Sequence, residues 1–191
     1  MFFEDFKIES KISEETINKY KYKVPQQVLN IWEEHGTGTV LKGYLKIIEP
    51  NSLIEVLKES YIRSEDTIPL FATSMGDIIV WERDRYLKIL NFRKLKVDVI
   101  SAGFDYFLED LKDKSFLDDE LQWQPYLEAM DRYGEPKFEQ CFGYTPLLGI
   151  AGMEKVENIK KVKMIEHIFF NNKNNGTNCV KNKIIKNHYM G

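Results

Sequence analysis

The segment from Ile68 to Trp81 constrains the fold of this chain more than any other stretch of the sequence. Two runs of apolar residues, which include Phe71 before the turn and Trp81 after it, flank Gly76 and Asp77. Glycine adopts positive φ at little cost and aspartate can bond its own backbone, so this pair is typical of a tight turn. We therefore predict a β-hairpin. The hairpin contains no obvious nucleophile, general base or metal-ligand set, which indicates binding rather than catalysis.

Hydrophobic spacing along the rest of the chain predicts a mixture of helices and strands. Apolar residues recur at helical spacing in some segments and alternate in others. The pattern predicts helices over 13–21, 25–35, 52–61, 104–111, 121–133 and 163–170, and further strands over 39–48, 86–91 and 94–100. Asn51 or Ser52 is expected to cap the third of these helices. The fold class predicted is α+β (mixed α/β), with helices packed on an antiparallel sheet.

The domain organisation follows from where strands give way to helices. With 191 residues, 43% of them hydrophobic, the chain can build one sizeable core or two small ones. We predict an α/β subdomain over 1–102 and a mainly helical subdomain over 103–170, tightly joined. Residues 171–191 are rich in Asn and Lys and are expected to form a flexible basic tail.

Charge is distributed unevenly along the chain. The net formal charge is −3, but residues 168–191 carry +4, so residues 1–167 carry −7. Residues 105–120 alone hold seven acids against two lysines. A surface of this kind repels nucleic acid and attracts a basic partner. We therefore predict a contact surface for a basic protein, made by Glu109, Asp110, Asp113, Asp118, Asp119, Glu120 and Trp123.

Few residues form a pattern that is typical of catalysis. His35, His167 and His188 do not lie at the spacing of a metal site, and neither Cys141 nor Cys179 belongs to a CxxC motif. We expect no metal, no cofactor and no catalytic residue. Cys141 with His167 as its base stays open as a nucleophilic pair, against the alternative that both are buried structural residues.

The compartment expected is the cytoplasm. Two cysteines far apart in sequence suit a reducing environment better than a disulfide framework. The first residues have early acids and lack the basic region of a secretory signal. No apolar run approaches the ~20 residues that a membrane helix needs, so no membrane association is expected.

A second glycine-rich segment extends from Cys141 to Gly152, and its order and distance after the hairpin form a recognisable sequence pattern. The segment 32–38, Gly43-Tyr44, 49–51 and the hairpin 68–81 together resemble the GAD-like domain of bacterial proteins, and the resemblance as a whole covers roughly residues 5–170. The segment 139–152 resembles the companion C-terminal domain found in an immunity protein against a type VI secretion DNase toxin. Within this pattern the fold-defining residues are expected to be Phe71, Gly76, Asp77, Trp81, Gly143, Pro146, Gly149 and Gly152.

The resemblance implies an α/β protein without enzymatic activity that binds a cognate toxin. Together with the acidic charge of the chain, it leads us to predict a DNase with a basic surface as the partner. The function predicted is a cytoplasmic immunity protein that neutralises this toxin by stoichiometric binding and occlusion. The alternative is a regulatory module that binds a small molecule or nucleotide. Its support is the pair of glycine-rich turns, which let a backbone approach a ligand. A further segment, Gly36-Thr37-Gly38-Thr39, resembles part of a glycine-rich loop but follows a helix and matches neither the GxGxxG nor the GxxxxGK[ST] pattern.

Overall fold

The computed structural model of the protein describes Phe3 and residues 5–174, which form a large antiparallel sheet with helices on both faces. Seven strands follow one another in chain order, and every neighbouring pair is antiparallel. They are β1 (Lys7–Ser10), β2 (Thr37–Val40), β3 (Leu45–Ile47), β4 (Thr67–Thr73), β5 (Ile78–Glu82), β6 (Tyr86–Asn91) and β7 (Lys96–Ser101). A separate two-stranded sheet pairs β8 (Gln140–Tyr144) with β9 (Ile159–Lys163). The predicted fold class is confirmed.

Seven helices are present among the described residues, and some of their ends carry a clear capping signal. The described residues form α1 (Glu14–Tyr20), α2 (Gln26–His35), α3 (Ile54–Ser60), α4 (Phe104–Asp110), α5 (Lys114–Asp119), α6 (Gln124–Tyr133) and α7 (Met164–Asn174). The Ser13 side chain caps α1 by accepting from the Thr16 amide at 3.2 Å. Gly36 ends α2 with φ 75° and Gly134 ends α6 with φ 74°.

The sheet has a hydrophobic core on each face. On β5, Ile79 and Trp81 point to the first face, whereas Ile78 and Val80 point to the second, as strand alternation requires. Residues of α1, α2, α4, α5 and α6 pack on the first face, and residues of α3 and α7 pack on the second. A shift of register in β4 places Leu70 beside its neighbour Phe71 on the same face.

The N-terminal and C-terminal parts of the chain share the core of the first face. Phe71 of β4 stacks on Phe104 of α4 with ring centroids 6.1 Å apart. Tyr44 meets Tyr126 of α6 at 5.1 Å between centroids. The predicted tight joining of two subdomains is therefore confirmed. The exact boundary at 102 stays a prediction, with β7 ending at Ser101 and α4 beginning at Phe104.

Three local predictions are wrong. The strand expected over 39–48 is two strands, because Leu41, Lys42 and Gly43 all take positive φ and reverse the chain. The cap expected at Asn51 or Ser52 is absent, since a 3₁₀ turn over Pro50–Leu53 leads into α3 without a side-chain cap. The helix expected to end at 170 continues to Asn174, so 171–174 do not belong to a flexible tail. The remainder of the predicted tail, 175–191, lies outside the described residues.

Four elements had no predicted counterpart. The short strands β1 and β9 and the six-residue helix α5 are too exposed to show a clear hydrophobic period, and the buried strand β8 overlaps the glycine-rich segment 141–152, over which no strand was predicted. The part predicted as mainly helical therefore also contains the β8–β9 pair. Each of these elements forms through a partner elsewhere in the chain, which local periodicity cannot show.

Candidate functional site

The two glycine-rich segments of the sequence pattern contact each other directly. The amide of Phe142 donates to the carbonyl oxygen of Ser74 at 2.7 Å. A Cβ added at Gly76 would be 3.2 Å from Cys141 Sγ, so glycine allows the hairpin turn to approach β8 closely. Ser74 also donates through its amide to the carbonyl of Tyr44 at 2.7 Å. The tip of the hairpin therefore ties the N-terminal part of the chain to the C-terminal part.

Asp77 is neutralised by a guanidinium at this junction. Its Oδ2 accepts from Arg93 Nη2 at 2.5 Å and its Oδ1 accepts from Arg93 Nε at 3.3 Å. Both side chains are buried. Burial alone would lower the pKa of Arg93, but the charge and hydrogen bonds of Asp77 outweigh burial and the pKa is raised. Asp77 thus serves the fold at this position.

Gly143 makes room for the ring of His167. A Cβ at Gly143 would be 2.4 Å from His167 Nε2, a distance that no packed structure tolerates. His167 is buried, and burial together with the nearby Arg93 lowers its pKa, so the imidazole is neutral at pH 7. His167 is held as a packing residue of α7 against β8.

Cys141 does not have the properties of a catalytic nucleophile. Its side chain is buried, and burial raises its pKa to about 12. The thiolate is the nucleophilic form, so a thiol held protonated near neutral pH reacts poorly. Within the described part of the chain, no cluster of three or more His, Cys, Asp or Glu residues could hold a metal ion.

The loop that follows β8 combines a tight closure with an exposed apolar tip. Gly152 closes the loop, because a Cβ there would be 2.3 Å from the carbonyl oxygen of Pro146. Pro146 and Gly149 are exposed. Ile150 and Met153 expose 51% and 58% of their surface. Of the predicted fold-defining residues in this loop, Gly152 alone has such a close backbone contact.

The predicted acidic contact surface lies on α4, α5 and the turns beside them. Asp110, Asp119 and Glu120 have no side-chain partner among the described residues, and the last two are exposed. Glu109 pairs with Lys112 at 3.0 Å on the surface. Asp110, Asp119 and Glu120 are therefore the acids that are available to an external partner.

Two of the predicted contact acids have local structural roles. Asp113 caps α5 by accepting from the amide of Ser115 at 2.9 Å. Asp118 accepts from Gln124 at 3.1 Å and pairs with Lys114. Charge changes at Asp113 or Asp118 would therefore disturb the helix itself as well as any interface.

Trp123 lies partly inside the protein rather than on the acidic surface. Its ring is half-buried, 6.4 Å between centroids from Tyr44, and its indole nitrogen is buried without a partner among the described residues. Trp123 therefore contributes packing to the core beside Tyr44.

Lys46 is a buried charged residue that the sequence patterns did not single out. Its Nζ donates to the carbonyl oxygens of Phe138 at 2.8 Å and Lys137 at 3.2 Å, and also to that of Gln140. Burial lowers the pKa of Lys46 to about 8. The only sequence signal was a lysine between Leu45 and Ile47 in a buried strand. The ammonium fastens the segment that joins α6 to β8.

The glycines at 36 and 38 are packed against the chain itself. A Cβ at Gly36 would be 2.3 Å from the carbonyl oxygen of Ser10, and one at Gly38 would be 2.3 Å from that of Lys7. These two glycines therefore let β1 approach β2. The glycine turns that supported a nucleotide site are occupied by protein atoms, which removes the main argument for that alternative.

Within residues 5–174, no helix has the length and apolar character that crossing a bilayer requires.

Comparisons with known proteins agree with the sequence pattern. Residues 2–92 match the family model described as GAD-like domain, and residues 101–172 match that described as T6SS immunity protein Tdi1, C-terminal. No curated protein matches the chain. The crystal structure of Atu4351 from Agrobacterium tumefaciens is similar in fold, with a TM-score of 0.71 and 15% sequence identity over 87% of this chain and 84% of that chain.

The fold and the family matches define a two-part α+β protein of the immunity class associated with type VI secretion. The chain belongs to the proteins that join a GAD-like domain to the C-terminal domain of the T6SS immunity protein Tdi1.

Proposed function

We propose that this protein acts in the cytoplasm, where it binds a cognate nuclease toxin stoichiometrically and occludes its active site or its path for DNA. The match of residues 101–172 to the Tdi1 immunity domain is the observation that carries the proposal. We propose that the partner is a toxin, that this toxin is a nuclease, and that the complex has 1:1 stoichiometry.

The charge of the acidic surface supports a nuclease as the partner. A nuclease uses basic residues to hold the phosphate backbone. Asp119 and Glu120 are exposed and free of intramolecular ion pairs among the described residues, so they can engage such basic residues. Opposite charge also accelerates encounter between two proteins.

The state of the candidate nucleophile supports inhibition by binding alone. Cys141 is buried beneath the hairpin tip, and the neutral His167 packs on Gly143. Neither side chain is presented to a substrate. Occlusion of a toxin requires contact area and complementary charge, both of which an inert scaffold can supply.

The direct test uses the toxin encoded beside the gene for this protein. Isothermal titration of the two purified proteins should show a 1:1 complex, and added immunity protein should abolish DNA cleavage at one equivalent. A toxin that cleaves DNA unchanged in the presence of excess immunity protein would refute the proposal.

Reversing the charge of two exposed acids tests whether they lie in the contact surface for the toxin. The variant Asp119→Lys/Glu120→Lys should bind the toxin with an association rate at least roughly tenfold slower at low salt, because steering is lost. Its salt dependence should be flatter than that of the wild type. The matched control, Glu59→Lys/Glu65→Lys, makes the same charge change at exposed positions on and after α3. If the association rate fell equally in both variants, the toxin would bind elsewhere than at Asp119 and Glu120.

A further inference from the structure

A cavity of about 510 Å³ opens between α1 and the C-terminal end of α2. Its volume lies within the range of natural ligand sites, which is roughly 300–1,000 Å³. Ile8 and Ile17 supply its accessible apolar surface, and the buried Ile12 and Trp32 lie beneath them. Carboxylates of Glu14, Glu33 and Glu34 stand around it, together with one cation, Lys11, and the ring of His35. The cavity therefore combines an apolar wall with an acidic rim.

The electrostatics of the cavity favour a cation. Glu14 and Glu33 are exposed and have no ion pair among the described residues. The ten-residue helix α2 ends at His35, so its negative dipole end adds to the field of the carboxylates. Lys11 offsets one of the three acidic charges. The net charge of these residues is negative, and it is concentrated at the C-terminal end of α2.

His35 lines this cavity with an unused polar atom. The side chain is only 7% exposed, and its Nε2 is buried without a hydrogen-bond partner among the described residues. The nearest carboxylate oxygen, Glu34 Oε1, is 3.7 Å away, which is too far for a hydrogen bond. The ring is held by Phe6, with centroids 4.8 Å apart. A buried polar atom without a partner is costly, so a polar group that fills the cavity gains a ready contact.

We propose that this cavity receives a lysine or arginine side chain of the protein partner. The aliphatic stem of such a side chain lies along Ile8 and Ile17, and its charged head reaches Glu33 and Glu34. Long basic side chains bind in this way because their stems are apolar and their heads are cationic. The identity of the partner rests on the proposed function, in which the partner is a toxin with a basic surface.

The cavity lies at one end of α2, and α4 contacts α2 near its other end. Gln27, near the start of α2, donates to Asp105 of α4, while the cavity lies at the other end of α2. A helix of this length extends only ~15 Å. A standard interface buries about 800 Å² on each partner, so a partner that covers the cavity can extend along α2 toward Asp105. The cavity then gives the partner a specific anchor beside a broader charged surface.

The first experiment measures toxin binding by a variant of the cavity rim. Glu33→Gln/Glu34→Gln removes two charges from exposed positions and should leave the fold intact by circular dichroism. It should weaken binding of the neighbouring-gene toxin about tenfold, since charged hydrogen bonds are lost. The control, Glu59→Gln/Glu65→Gln, should bind as the wild type does. Equal affinities for the wild type and both variants would overturn the inference.

The second experiment separates this inference from the proposed function. N-acetyl-arginine-methylamide is titrated into the wild type while the amide resonance of Gly36 and the indole resonance of Trp32 are followed by NMR. These resonances should shift, and they should not shift with the citrulline analogue or in Glu33→Gln/Glu34→Gln. If the wild type binds no toxin, the proposed function fails and this titration decides: specific shifts uphold a site for basic side chains, and their absence rejects it.

Discussion

The Asp77 carboxylate and the Arg93 guanidinium form a buried ion pair at the place where the two halves of the chain meet. The two shortest contacts, 2.5 Å and 3.3 Å, engage both carboxylate oxygens. Asp77 lies at the hairpin tip, whose neighbour Ser74 is hydrogen-bonded to Phe142 of β8. A charge in this position needs its partner, because neither group can reach water. Because both charges are buried, the contact between the two halves of the chain requires this pairing of Asp77 with Arg93.

Replacing Asp77 by Asn should destabilise the protein strongly. The guanidinium of Arg93 would stay buried without a counter-charge, and breaking such a pair from one side costs about 3–5 kcal/mol. Urea unfolding followed by tryptophan fluorescence measures the loss. Asp98→Asn, which breaks the more exposed pair with Lys96, should cost at most ~1 kcal/mol. Equal losses in the two variants would contradict the assigned role of Asp77.

Adding a methyl group at Gly143 should destabilise the contact between β8 and α7. The new Cβ of Gly143→Ala would overlap the His167 ring, and overpacking of this kind costs about 1–3 kcal/mol. Thermal unfolding measures the change. In a His167→Ala background the same substitution should cost almost nothing, because the overlapping ring is gone. Gly149→Ala, in the exposed loop, is the neutral control. A cost that persists without the His167 ring would show that the overlap is not its cause.

The buried ammonium of Lys46 should make stability rise with pH. Its folded pKa of about 8 lies below the ordinary value of 10.5, so between these pH values the unfolded chain holds a proton that the native protein has released. Unfolding then takes up a proton, and a higher pH disfavours it, by up to about 1.4 kcal/mol per pH unit. The free energy of unfolding of the wild type minus that of Lys46→Met should therefore increase from pH 7.5 to 9.5.

The comparison with Lys46→Met cancels groups common to both proteins, including cysteines and tyrosines that titrate at high pH. Lys161→Met, at an exposed position on β9, should leave the slope unchanged. A difference between wild type and Lys46→Met that stayed constant with pH would show that Lys46 keeps its proton throughout this range.

The thiol of Cys141 should resist alkylation in the native protein. Burial raises its pKa to about 12, so almost no thiolate exists at pH 8 and the reagent has no access. The Cys179→Ser variant isolates Cys141, because the sequence has two cysteines. Mass spectrometry should find no iodoacetamide adduct after an hour in buffer and complete modification in denaturant. Rapid native labelling would reopen the question of a reactive cysteine.

Local sequence patterns predicted the elements whose signals lie within a few residues. The hairpin over β4 and β5 is confirmed, and the helices predicted over 13–21 and 25–35 are found as α1 and α2. The acids at 105–120 were recognised as a charged surface, although their individual roles were not. Asp113 and Asp118 are engaged by the helix, whereas Asp119 and Glu120 are free, because side-chain geometry decides which charges are already paired.

The sequence by itself determined the hairpin, the principal helices, the mixed fold class and the two glycine-rich segments, since these depend on spacing and on backbone conformations that few residues adopt. Only the tertiary structure decided what those segments do: they meet through Ser74 and Phe142 and leave Arg93 as the partner of Asp77. It alone placed the ammonium of Lys46 among three carbonyls, and His35, with its unused nitrogen, in the wall of a cavity that three glutamates also line. Such arrangements join residues that are distant in the chain, and the free energy of a buried polar group depends on which partners folding brings to it.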